Sequence, residues 1–363
     1  MKTITFTNAL ELASSYNTKH LLLGNGFSIA CVPTIFTYSS LYQQANFSIM
    51  PEVKEVFKIL ETQDFEEVIH ALEYASLVLP AYTDSLSKGV GNSVIKMQSH
   101  ANKIKEILIQ TIAGNHPDLP SSIGEEKYRS CIKFLNHFLD NKGCIYTLNY
   151  DLLLYWTLMF GVEKKLLNAM PNDGFGKDLE FNDVGVPISV SDYVTWHGES
   201  NAYQQNIHYL HGALHVFERD AEVEKFTWIN TGKPLIGQIR EALDANRYPL
   251  FVAEGDSTKK LTRIRHSGYL YHSYKSFTRK METGDKKSTA CLFTYGVSFS
   301  ANDEHIIKKI TVGKINHLFV SIYGSPDSEA NKKLIQAAEL IKQRRSQDLK
   351  VSYYDAESAK VWG

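Results

Sequence analysis

Cysteine is scarce and scattered in this chain of 363 residues. The four present, Cys31, Cys131, Cys144 and Cys291, include no CxxC pair. Zinc ribbons and disulfide frameworks need close pairs, so neither is expected. Cys144 and Cys291 stand in apolar, strand-like runs, where cysteine serves as a small buried hydrophobe. An excess of one charge is also missing: 39 Lys and Arg meet 40 Asp and Glu, for a formal net charge of -1. That excludes a broad basic face, so no strong direct nucleic-acid binding is expected. The densest cationic stretch, Lys259 to Arg265, is short and reads as a solvated edge or an anion-binding corner. No apolar run approaches a membrane span, and Met1 to Asn17 is too polar for a secretory signal. A cytoplasmic protein without membrane attachment is the expectation. Repeats, low-complexity tracts and Gly/Ser linkers are absent.

What is present is a series of short apolar runs separated by helical patterns. His20–Gly24, Cys144–Asn149, Asn206–Gly212, Tyr248–Gly255, Ala290–Gly296, His317–Gly324 and Leu349–Asp355 are of this kind. Continuous apolar runs ending in glycine or a small polar residue suit strands buried on both faces of a parallel sheet. Helices fit between them. Ser300 and Asp303 form a capping box ahead of Glu304 to Ile310. Asp327 to Arg345 is charged on one side and apolar on the other. Asp64 caps a run with Glu67 at N3 and with Phe65, Val68, Ile69 and Leu72 on one face. Lys96 to Ala113 repeats that spacing.

The expected architecture is therefore α/β. It is a Rossmann-like parallel sheet in one domain over 1–363, with a large helical insertion over 51–140 after the first strand. A second stretch, 170–205, is rich in Gly, Asp, Asn and Ser, and reads as loop at or over the site.

Four strand ends carry residues able to do chemistry. Gly24-Asn25-Gly26-Phe27-Ser28 is a strand-to-helix turn whose backbone N–H groups suit a pyrophosphate. Ile29 replaces the third glycine of GxGxxG, so a dehydrogenase fingerprint is not met. Thr147-Leu148-Asn149-Tyr150-Asp151 follows the second run. Asn149 or Asp151 there either caps the next helix or projects into a ligand site. His211 ends the run Tyr209-Leu210-His211-Gly212, exposed enough to titrate near neutrality. Trp196-His197-Gly198 is a second HG that follows no buried strand. A metal trio of His208, His211 and His215 would need helical spacing, whereas that segment reads as strand, with His215 opening the next element. No metal ligands are assigned. Gly296 and Ser298, in Tyr295-Gly296-Val297-Ser298-Phe299, form another contact for phosphate or ribose, with Ser300 and Asp303 as the cap beyond.

The order GNGFS, TLNYD, YLHG, YGVSF resembles the sirtuin family, which carries GAGxS, TQNID, a catalytic HG and GTS in that order. The spelling is closest to the bacterial SIR2-like branch. LLLGNGFSIA, TLNYDLLLYW, YLHGAL and YDAESAKVWG are also similar to the DUF4917 family over nearly the whole chain. The sirtuin resemblance implies an NAD site at the C-terminal edge of the sheet and cleavage of the nicotinamide–ribose bond. It implies that Gly24, Asn25, Gly26, Phe27, Ser28 and Thr147 contact the dinucleotide and that Gly296 and Ser298 hold its adenosine side. Asn149 and Asp151 would meet the nicotinamide ribose and the attacking group, with His211 as general base.

Sirtuin deacylases carry a four-cysteine zinc module that this chain cannot build, so a zinc-dependent deacetylase is not expected. Water is then the simplest acceptor, as in the SIR2-like NAD hydrolases of bacterial anti-phage defence. Nicotinamide leaves as a neutral molecule while positive charge builds on the ribose, as in glycoside cleavage. Asn149 suits the orienting task and His211 the proton. The expected function is thus an NAD glycohydrolase acting as an abortive-infection effector, restrained by homo-oligomerisation or by a partner sensor protein. The alternative is a non-catalytic subunit sensing NAD or ADP-ribose. ADP-ribose transfer to protein and a different N-glycosidic nucleotide are the remaining readings.

Overall fold

The structure, a computed structural model, describes residues 3–82, 88–139, 143–175, 179–181, 187–190, 193–196, 198, 204–219, 222–227, 233–282, 289–345 and 348–363. Six of the seven apolar runs pair side by side. They are β1 (Thr18–Leu23), β2 (Ile145–Thr147), β3 (Ile207–Tyr209), β4 (Ala290–Tyr295), β5 (His317–Ile322) and β6 (Lys350–Asp355). Every neighbouring pair is parallel. The order across the sheet is β3-β2-β1-β4-β5-β6, that of doubly wound nucleotide-binding sheets. Every residue of β4 and β5 is buried, so other layers cover both faces. The order reverses between β1 and β4, and a crevice lies at the C-terminal ends of the strands there.

The seventh run behaves differently. Pro249–Phe251 is the edge of a separate four-stranded antiparallel sheet with Gly212–Arg219, Glu222–Phe226 and Tyr193–Thr195. Hydrophobicity marked it as buried but not which sheet it joins. The chain passes into this sheet immediately after β3. Gly212 has φ +84, and a Cβ there would lie 1.9 Å from the Leu250 carbonyl oxygen, so a glycine must follow His211 for the strands to close. His215 lies in the middle of Gly212–Arg219 rather than opening an element. In the stretch 170–205, the described residues include strands Leu179–Phe181 and Pro187–Val190, paired antiparallel, besides Tyr193–Thr195. Backbone pairing thus replaces part of the expected loop; residues 176–178, 182–186, 191–192, 197 and 199–203 lie outside the described residues.

Helices fill the chain between β1 and β2. Over 51–140 these are Pro51–Ile59, Phe65–Val78, Lys88–Asn115 and Glu125–Leu139. Phe65, Val68, Ile69 and Leu72 are all buried, and Asp64 accepts the Glu66 N–H at 2.9 Å, as their spacing requires. Glu125–Leu139 lies against the parallel sheet: Phe138 packs on Phe293 of β4 at 5.2 Å between ring centroids. Glu329–Gln343 matches the amphipathic pattern before β6. The four cysteines are all buried.

The crevice is held by glycines. A Cβ on Gly26 would lie 2.5 Å from the Gly296 Cα, and one on Gly24 2.5 Å from the Gly296 oxygen. Gly296 itself has φ +66, with Gly26 Cα 2.4 Å from its would-be Cβ. Gly324 shares that φ of +66 and has nothing within 4 Å. Gly324→Ala should cost about 1–2 kcal/mol for the left-handed backbone alone. Gly296→Ala should cost about 1–3 kcal/mol more for backbone overlap. Urea unfolding of the two variants measures the difference, and equal losses would refute the close-packing account.

Candidate functional site

A cavity of about 690 Å³ opens at the crevice, within the size range of small-molecule sites. Each of four strand ends contributes to it: Gly24, Asn25 and Gly26 after β1; Asn149, Tyr150 and Asp151 after β2; His211 after β3; Gly296, Val297 and Ser298 after β4. Asp64, Glu66, Lys260, Asp303 and Lys333 come from helical segments. The chain thus gathers on one wall the residues it carries at separate strand ends.

The turn after β1 uses its donors internally. The Gly26 N–H donates to Gly296 O at 3.0 Å, Phe27 N–H to Gly24 O at 2.9 Å and Ser28 N–H to Asn25 O at 3.0 Å. The glycines of this turn serve the contact between the two turns. Asn25 also donates from its amide to Phe36 O at 3.3 Å.

Ser28 and Phe27 lie behind the cavity wall. Ser28 is fully buried; its hydroxyl donates to Asp151 Oδ2 and accepts from Asn149 Nδ2 at 2.8 Å. One hydroxyl thereby fixes both side chains of the second motif. The other oxygen of Asp151 accepts the Leu153 N–H at 2.9 Å, so this carboxylate caps the helix and faces the cavity as well. Burial pushes the Asp151 carboxyl up. Phe27 packs into the core on Trp362, whose indole donates to Phe27 O at 2.8 Å. Thr147 is buried too, and its hydroxyl accepts the Asn149 N–H at 3.0 Å. Phe27, Ser28 and Thr147 therefore shape the site without lining it.

His211 is 2% exposed, not the freely titrating group its strand-end position suggested. Burial holds its pKa well below the usual histidine value; Lys260 and His305 add to this and Asp303 opposes it. Its Nε2 lies 3.1 Å from His305 Nε2 and 3.8 Å from Asp303 Oδ1. His305 Nδ1 in turn meets the Ser257 hydroxyl at 3.1 Å. Beside this pair runs an ionic chain. Lys260, 1% exposed, donates to Glu66 Oε2 at 2.7 Å and to Asp303 Oδ1 at 3.0 Å. Burial opposes its charge, but the two carboxylates prevail and hold it protonated. Burial, with the Asp303 and Asp64 charges, pushes Glu66 up to about 7 against the pull of Lys260. Tyr150 donates to Val252 O at 2.6 Å and reaches Glu66 Oε1 at 3.4 Å.

The model of a family described as a domain of unknown function, DUF4917, matches residues 21–362. The chain belongs to the DUF4917 family. No curated protein matches it.

In this DUF4917 chain the capping box expected of Ser300 and Asp303 does not form. Neither side chain makes a cap hydrogen bond, and a 3₁₀ turn, Ala301–Asp303, precedes the helix Glu304–Val312. A buried ammonium is a stronger partner for the Asp303 carboxylate than a backbone N–H. Lys260 belongs to the stretch read as a solvated edge or an anion-binding corner; its burial overturns the edge, and the anions it holds are Glu66 and Asp303, 194 and 43 residues away in sequence. Glu66 was hidden beside the helix cap, and His305 inside an ordinary helix. The elevated density of polar residues around 300–305 was the one local signal for this cluster. His208 and His215 do not join it. His208 stacks on Tyr146 at 4.8 Å and His215 on Tyr155 at 4.4 Å, both within the core. His197 lies outside the described residues, and no described residue of 170–205 lines the cavity.

Two outcomes follow for stability. Lys260→Met leaves Glu66 and Asp303 facing each other without a cation and should cost about 3–5 kcal/mol. Adding Glu66→Gln and Asp303→Asn should restore most of it, as read by chemical denaturation; a neutral single variant would contradict the ionic chain. The second concerns pH. His20, His116, His208, His211, His215, His305 and His317 all have lowered values in the folded chain, with His20 and His208 near about 3 and His116, His305 and His317 near about 4. Unfolding returns them to 6.5, so below that pH the unfolded chain binds more protons and stability falls as pH drops. Each histidine contributes about 1.4 kcal/mol per pH unit. Asp64, Glu66 and Asp151, whose values are raised, act in the opposite sense but are fewer. Urea midpoints should therefore drop steeply from pH 6.5 to 5, and a level profile would refute the neutral core histidines.

Proposed function

We propose that this protein hydrolyses NAD at the nicotinamide–ribose bond, giving nicotinamide and ADP-ribose. The observation that carries the reading is the convergence of Asn149 and His211, from two different strand ends, on one cavity at the reversal point of a doubly wound parallel sheet. On this reading the sheet is the SIR2-like variant of the Rossmann arrangement, and the helices of 51–140 are its insertion, supplying Asp64 and Glu66 to the site.

The chemistry needs an oriented ribose, an oriented water and a proton acceptor. Asn149 is held by Ser28, so its amide is preorganised to direct a hydroxyl or the attacking water. Heterolysis gives the electron pair of the glycosidic bond to the nicotinamide nitrogen, which becomes neutral. Water adds to the ribose cation and gives its proton to the protein. His211 is neutral at pH 7, as an acceptor must be, and Asp303 at 3.8 Å stabilises the imidazolium that results. Lys260 is neutralised by its own partners. The pyrophosphate charge is therefore met by Asn25, Ser298 and Lys333 on the outer wall. Uncontrolled turnover would drain the cell of NAD, so the role we assign is a cytoplasmic anti-phage effector held in check by self-assembly or a sensor partner. The burial of His211 favours one second reading, a subunit that binds NAD or ADP-ribose without turnover.

Incubation of the full-length protein with NAD, followed by chromatography for nicotinamide, tests the proposal. Asn149→Ala and His211→Ala should each lower turnover by about 10²–10⁴-fold. Unchanged rates in both would remove these residues from the site. Saturable NAD binding with no nicotinamide release would support the sensing subunit instead.

A further inference from the structure

Three side chains of metal-ligating type meet at the inner wall of the cavity, His211 and Asp303 lining it and His305 buried beside them. His211 follows β3; Asp303 and His305 stand at the start of Glu304–Val312. One donor atom from each lies within 4.8 Å of the others, the one His, Cys, Asp and Glu group of this kind among the described residues. The Nε2 atoms of the two histidines face each other at 3.1 Å, and Asp303 Oδ1 is 3.8 Å from the first. A tetrahedral ion with bonds of about 2.0–2.1 Å sets its donors about 3.4 Å apart. Two of the spacings, 3.1 and 3.8 Å, bracket that value and the third lies within 4.8 Å, so side-chain adjustments on the order of 1 Å would close the trio on an ion.

The surroundings fit this use. Ser257 fixes the far nitrogen of His305, and its hydroxyl also accepts the His305 backbone N–H at 2.7 Å. That is the kind of outer contact that orients a ligating imidazole and leaves its other nitrogen free. Asp303 Oδ1 already accepts from Lys260, but a carboxylate has about four lone-pair positions, so the ammonium does not use it up. Charge points the same way. Four carboxyl groups, those of Asp64, Glu66, Asp151 and Asp303, line the cavity against two ammonium groups, those of Lys260 and Lys333.

The geometry points to a site for a divalent first-row transition ion of the zinc class, held by His211 Nε2, His305 Nε2 and an Asp303 carboxylate oxygen. Two imidazoles and one carboxylate select such ions over magnesium and calcium, which prefer all-oxygen sets. His211 and Asp303 line the cavity, so a further coordination position faces it and is free for water or a ligand oxygen. The inference concerns metal binding and does not depend on NAD being the substrate; an ion on His211 Nε2 and a proton taken up by that nitrogen exclude each other, so the two roles belong to different states of the site.

Isothermal titration calorimetry of the full-length, chelator-stripped protein with zinc at pH 7.5 is the test. Wild type should bind one zinc per chain. Ser257→Ala, which keeps all three ligands, should weaken binding about 10-fold. His305→Ala and Asp303→Asn should weaken it about 100-fold or more, while the exposed His266→Ala leaves it unchanged. Circular dichroism identifies any variant that fails to fold; if His305→Ala does, Asp303→Asn and Ser257→Ala decide. Absence of saturable zinc binding in wild type, or undiminished binding in both Asp303→Asn and Ser257→Ala, would overturn the site.

Discussion

The turn after β1 and the turn after β4 occupy a space too small for any side chain between them. Gly24, Gly26 and Gly296 meet backbone to backbone there, joined by the Gly26 N–H to Gly296 O bond. This contact sets the floor of the cavity. It fixes where Asn25 and Ser298 stand and brings the helix carrying Ser28 within reach of Asn149 and Asp151. A glycine motif usually read as a cradle for phosphate here has a packing duty first, and any ligand must be bound by what surrounds it.

The far wall obeys a different logic. It is built from charges taken out of water, and it persists because Lys260 meets two carboxylates rather than one. Such an arrangement contributes little net stability relative to apolar packing, since desolvation offsets most of the Coulomb attraction. It stands beside the cavity, and burial with the neighbouring carboxylates pushes Glu66 up to about 7.

Much of the fold was legible because burial on both faces leaves continuous apolar runs, and six of them became the parallel sheet. Pro249–Phe251 joined the other sheet because hydrophobicity reports burial and carries no partner. Gly212–Arg219 escaped notice for a related reason: its first six residues are all buried, so the alternation that marks a half-exposed strand is missing. In the site, residues placed directly at strand ends were readable, as Asn149, Asp151 and His211 show. Lys260, Glu66, Asp303 and His305 were not. A lysine's burial depends on carboxylates far away in sequence, and no local pattern encodes that.

The placement of β1 has a consequence for biosynthesis. Its partner on one side, β4, is made some 270 residues later, and the Phe27 carbonyl at the cavity turn waits for Trp362. A ribosome making this chain therefore carries a central strand with both edges open until β2 emerges and one open until β4 does. Strand edges of that kind invite pairing with other chains. The helices that follow β1 directly are the segment available to shield it. The cavity, by contrast, draws its lining from Gly24 to Lys333, so it takes shape only after the strands on both sides of β1 have been made.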